Sequence, residues 1–161
     1  MSLGAESEAG YPIIGEKRFG RFRKLSYLCS MIRYNTPLDN LRLGQVREIS
    51  DLTLSWCIAM FGVNNRKRKP LTLCVEFTHV DGDAYGMYTS KDNRIYLYLQ
   101  HAKSVKDIVS TIIHEYTHSM QAITTMYDKL YRQHKYYSRH PFERSARYNE
   151  RKYAKICWDQ I

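Results

Sequence analysis

His114-Glu115-Tyr116-Thr117-His118 lies inside a run where Val105, Ile108, Val109, Ile112, Ile113, Tyr116, Met120 and Ile123 recur at helical spacing. Apolar residues three and four apart make one stripe on an α-helix, so this segment is predicted to be a helix packed along one side. Ser104, three residues before Asp107, supplies an N-cap with an acid in the first turn, and the helix is expected to begin there. Residues four apart stand one turn above each other. His114 and His118 therefore share a face beside the apolar stripe, where a cleft wall would lie. Two imidazoles so placed can reach one Zn²⁺, and the Glu115 carboxylate can handle a water beside the ion.

A catalytic zinc site takes a third protein ligand and leaves one position open. The metzincin set needs a glycine three residues and a histidine six residues after the second histidine, but those positions hold Gln121 and Thr124. Downstream, His140-Pro141-Phe142-Glu143 puts a carboxylate in the first turn of a second predicted helix, with Pro141 suited to its N1 position. Glu143 is the expected third ligand, although an acid there also complements the helix dipole. Asp128 is the substitute, too near on the same helix to fold back.

At these residues the chain resembles the short gluzincin metallopeptidases, or minigluzincins, over roughly Thr36 to Trp158. HExxH carries the resemblance together with Glu143-Arg144-Ser145-Ala146, which fits the family's ExxA ligand motif. His140-Pro141 before Glu143 is similar to the HPxE form of small members. The resemblance implies a zincin-like α+β fold with a long scaffold helix, a small antiparallel or mixed β-sheet, the HExxH helix and a C-terminal ligand helix. It implies zinc-dependent hydrolysis of peptide or protein substrates, with His114, His118 and Glu143 on the metal and Glu115 as general base. A strand bordering the cleft would pair with substrate backbone, and the small Ala146 would let the ligand helix approach closely. The oxyanion needs a further donor, for which His134, Tyr136, Tyr137 and His140 are the candidates.

Around this centre, Thr36-Pro37 reads as the N-cap and N1 of the scaffold helix, continued by Leu38, Leu41, Gln45, Ile49, Leu52, Trp56 and Met60 up to Gly62. Leu71, Leu73, Val75 and Phe77 alternate with Thr72, Cys74, Glu76 and Thr78, the period of a half-buried strand. Asp81-Gly82-Asp83 turns the chain, and residues 85–88 and 94–99 are expected to form a hairpin around 90–93. Residues 36–161 thus make one compact domain. A chain of 161 residues, 43% hydrophobic, can bury a core without staples. Cys29, Cys57, Cys74 and Cys157 are scattered with no CxxC pair, which argues for buried, reduced thiols rather than a thiolate metal site or a disulfide frame.

Residues 1–35 read as a basic N-terminal extension. Lys17, Arg18, Arg21, Arg23 and Lys24 are interleaved with Phe19 and Phe22, in a chain of formal net charge +9 at pH 7. Such an arm suits an anionic partner or a larger protein assembly. One rival reading is therefore a structural or regulatory component, for example of a phage particle, that keeps the gluzincin fold. Another is a nucleic-acid-associated protease like those acting on DNA–protein crosslinks, whose all-histidine zinc site would require His134 and His140 to replace Glu143. No signal peptide or membrane-spanning apolar run is evident, so the expectation is a cytoplasmic or intracellular protein, or one within a viral particle.

Overall fold

The structure, a computed structural model, describes residues 32–76, 82–121, 132 and 140–161. All but Ile32 belong to a compact unit, Arg33–Ile161. Lys17, Arg18, Arg21, Arg23 and Lys24 lie outside the described residues, as do His134, Tyr136 and Tyr137. The architecture is α+β. Helices α1 (Leu43–Phe61), α2 (Val105–Met120) and α3 (Pro141–Gln160) accompany strands β1 (Thr72–Glu76), β2 (Gly86–Thr89) and β3 (Arg94–Tyr98). Among the described residues no helix is long and apolar enough to cross a membrane.

α2 is the hub. Val105, Ile108, Val109, Ile112 and Ile113 are wholly buried and Tyr116 nearly so, because α1, α3 and the β2–β3 hairpin all pack on this one helix. Its start follows from the Ser104 cap, whose N–H donates to the Asp107 carboxylate at 3.0 Å. The remaining orphan N–H groups of a helix start need outside acceptors. Val105 N–H donates to Thr36 O (3.1 Å) and Lys106 N–H to Tyr34 O (2.8 Å).

That pairing corrects the expected start of the long helix. Pro37 is extended, at φ −60° and ψ 142°, and bridges Ser104. Thr36-Pro37 therefore serves α2 as a backbone partner. A short 3-10 turn, Leu38–Asn40, follows, and α1 begins only at Leu43. The domain accordingly includes Arg33 and Tyr34, and the Tyr34 ring lies 6.2 Å from that of Trp158. At its other end α1 stops at Gly62, whose φ of 78° needs a residue without Cβ strain. The Gly62 carbonyl accepts the Tyr116 hydroxyl. Trp56, fully buried, donates through Nε1 to Gln160 Oε1 at 2.7 Å, tying α1 to the end of α3.

The sheet order is β1-β3-β2. β3 is central, with Ile95 and Leu97 fully buried. β1 runs parallel to it, Val75 opposite Leu97, and β2 runs antiparallel, Met87 opposite Tyr96. The hairpin turns through Asn93 at φ 50°. The Asn93 amide donates to Lys69 O at 2.7 Å and its Oδ1 accepts the Tyr88 hydroxyl at 2.9 Å. α3 buries Glu143, Ala146, Ala154 and Cys157, a stripe at helical spacing turned inward. Cys57, Cys74 and Cys157 are free. Burial pushes the Cys157 thiol up to about 12 and raises Cys57 well above its usual range, so neither is a ready thiolate.

β2 approaches α2 so closely that only glycine fits at its first position. A Cβ on Gly86 would stand 2.7 Å from Thr111 Cγ2 and 2.7 Å from Tyr96 O. Gly86→Ala should therefore lower stability by about 1–3 kcal/mol, the usual cost of overpacking. Gly44, exposed near the start of α1 with open space around its Cβ direction, provides the opposite case. Gly44→Ala should raise stability by about 0.5–1 kcal/mol. Urea midpoints at unchanged slope read both changes, and a shift of the two in the same direction would contradict the packing described.

Candidate metal centre

α3 packs against α2 so that Glu143, in the first turn of α3, faces His114 and His118 in the last turns of α2. Their Nε2 atoms are 3.2 Å apart. Glu143 Oε1 lies 3.1 Å from His118 Nε2 and Oε2 lies 3.4 Å from His114 Nε2. Donor atoms arranged tetrahedrally at about 2.0–2.1 Å from an ion are about 3.3–3.4 Å from one another. The three side chains thus stand at the spacing of a coordination shell, all within 4.8 Å, and could hold a metal ion.

The far side of each imidazole is engaged as well. His114 Nδ1 is 3.1 Å from Glu150 Oε2, and His118 Nδ1 is 2.8 Å from Gln121 Oε1. An acceptor at Nδ1 keeps the proton there and leaves Nε2 for the metal side. Gln121 also donates through Nε2 to Phe142 O at 3.0 Å, joining the end of α2 to the start of α3. Asn149 donates to Thr117 Oγ1 at 3.2 Å, a further link between the two helices. His140 is fully buried, and its Nδ1 accepts the Phe142 N–H at 3.1 Å, capping α3. Of the four residues considered for the oxyanion, His140 is the one among the described residues, and that nitrogen holds the helix end.

Charge in the metal-free site follows from these contacts. Burial alone would lower His114, but hydrogen bonds with Glu143 and Glu150 outweigh it and hold the imidazole up at about 9. His118 is raised for the same reason, with Glu143 and Gln121 as its partners. Glu115, 8% exposed, is pushed above the usual carboxylate range by desolvation. The neighbouring imidazoles and a hydrogen bond from the Tyr88 backbone oppose that rise.

Gly86, the first residue of β2, lines the cleft beside the centre, with Glu115 Cγ 3.4 Å from where its Cβ would stand. Tyr98 N–H donates to Tyr85 O at 2.9 Å, so along the antiparallel ladder the N–H and C=O groups of Gly86 and Tyr88 turn away from β3. Among the described residues no further strand pairs with this edge of β2, and Glu115 is met there by the Tyr88 backbone. Gly86 at that edge lines a cleft of about 530 Å³ together with residues 83–85, Asp107, Ser110, Thr111, His114 and Glu115 of α2, and Glu143, Arg147 and Glu150 of α3.

Reasoning from sequence missed three contributors. Glu150 lies seven residues after Glu143, two turns along the same face, which is the signal that could have found it. In the sequence Gln121 stands out only as a departure from the metzincin ligand pattern, and Gly86 only as part of a hairpin. No protein-family model matches the chain, nor does any curated protein or solved structure.

Two outcomes test the centre. A group whose pKa rises on folding, here His114 from 6.5 to about 9, contributes stability that is complete below the unfolded value and lost as pH climbs through the folded one. The metal-free protein should therefore lose stability between pH 6.5 and 9. An ion takes deprotonated imidazoles, so zinc should bind more tightly over the same window and release protons at its lower end. Thermal unfolding with and without zinc across that range reads both, and a metal-free stability that rises with pH would contradict the assignment. Separately, Glu150→Gln should weaken metal affinity about 10–100-fold, the usual cost of removing a partner behind a ligand.

Proposed function

We propose that this chain is a zinc-dependent metallopeptidase of the gluzincin type, built on a zincin-like fold. One observation carries the reading. Glu115 lines one cleft together with His114 and Glu143, two of the three grouped ligands, and with Gly86 at the edge of β2, so a base, a metal-ligand set and a place for an extended peptide adjoin. The order of long helix, small sheet, HExxH helix and ligand helix supports it further.

Two imidazoles and one carboxylate suit zinc better than the hard cations, which prefer all-oxygen shells. Zinc held there would lower the pKa of water and polarise a carbonyl. His114, His118 and Glu143 would bind it, with Glu150 and Gln121 fixing the two rings. Glu115, partly desolvated and therefore more basic than a surface carboxylate, accepts the proton of the attacking water and passes it to the leaving amine. Gly86 has no side chain to cover its backbone, and among the described residues the β2 edge has N–H and C=O groups to offer an extended substrate.

Glu115→Gln should keep stoichiometric zinc and lose about 10²–10⁴-fold in cleavage of casein or a peptide library, because the amide keeps the shape but accepts no proton. Undiminished activity in this variant would remove Glu115 from the chemistry. Zinc binding by the wild-type chain with no cleavage of any peptide would favour a structural or regulatory role for the same fold.

A further inference from the structure

α3 carries Arg144, Arg147 and Arg151 at spacings of three and four, along one side of the helix. Arg147 is half-buried and lines the cleft beside His114, Glu143 and Glu150. It also lines a second, open hollow of about 490 Å³, whose other walls are Arg144, Tyr148, Arg151 and Lys152. The cleft therefore opens onto basic ground, with Arg147 at the junction.

Among the described residues none of these three arginines makes an ion pair or a side-chain hydrogen bond. Three of the acids that line the cleft with Arg147 are engaged elsewhere. Glu150 is held by His114, Glu143 faces both imidazoles, and Asp107 accepts the N–H groups of Lys103 and Ser104. Asp83, which also lines the cleft, is exposed and makes no ion pair with Arg147. A half-buried guanidinium with five fixed donors and no ion pair among the described residues suits a carboxylate, which it can bind through two parallel hydrogen bonds. From Arg144 to Arg151 the helix rises about 10 Å, the length of about three residues of extended peptide.

We infer that Arg147, backed by Arg144 and Arg151, binds acidic side chains of the substrate, so the cleft selects peptides with Asp or Glu near the scissile bond. The inference rests on the peptidase reading above and adds its substrate class. A phosphate backbone could touch Arg144 and Arg151, but the half-buried Arg147 is better reached by one side chain entering the cleft.

The experiment uses the full chain carrying Glu115→Gln and loaded with zinc, so that no peptide is consumed. A fluorescent peptide rich in Glu should bind about tenfold more tightly than its Gln counterpart, the equivalent of about 1.4 kcal/mol. The advantage should shrink as salt rises. Adding Arg147→Gln should bring the two affinities together, and Arg147→Glu should reverse their order, with metal content and urea midpoint checking that each variant is folded. Equal affinities before any arginine is changed, or an advantage that survives both substitutions, overturns the inference. So does a labelled single-stranded oligonucleotide of equal charge that binds more tightly than the Glu peptide and is released by Arg147→Gln. Turnover by the wild-type chain separates the two proposals. Cleavage with the Glu preference expressed in KM supports both, whereas acid-selective binding with no cleavage of any peptide supports the acidic site and removes the peptidase reading.

Discussion

Glu143 is 2% exposed and lies between two imidazoles. A carboxylate taken that far from water costs on the order of several kcal/mol unless positive charge and hydrogen bonds meet it. A proton on His114 meets it in the metal-free molecule, with His118 shifted in the same direction, and a bound cation would meet it in their place. The two solutions exclude each other, because an imidazole nitrogen that carries a proton has no lone pair for a metal. Proton and metal therefore compete for one buried acid.

Much of the surrounding structure serves to hold that acid in place. His140 caps α3 and Pro141 opens it, which fixes where the first turn begins. Ala146, fully buried one turn on, adds almost no bulk to the packed face. Gln121 reaches from the end of α2 to the Phe142 carbonyl while also engaging His118. On the other side of α2, the tight contact at Gly86 brings β2 against Thr111 and Glu115. The site is thus the meeting of two helices and a strand edge on one hub, and its geometry depends on packing more than on any loop among the described residues.

How much of this could be read from the chain depends on the range of the interaction. The α2 stripe, the Ser104–Asp107 cap and the two histidines one turn apart are local, and periodicity and spacing expose them directly. The β2–β3 hairpin has the same character. Pro37 shows the limit. Next to Thr36 it looks like a helix start, but its extended backbone pairs with Ser104, far along the chain, and that pairing decides the outcome. The parallel register of β1 on β3 and the choice of β2 as the edge facing the cleft are likewise long-range. Glu150 is intermediate, since its spacing from Glu143 was visible but its partner, His114, was not.

X-ray absorption at the zinc edge, on the chain loaded with one equivalent of zinc, tests the central claim most directly. The account predicts a shell of nitrogen and oxygen only, at about 2.0–2.2 Å, with the outer scattering of two imidazoles. A sulfur shell near 2.3 Å, or the absence of imidazole scattering, would contradict it and place the metal away from His114, His118 and Glu143.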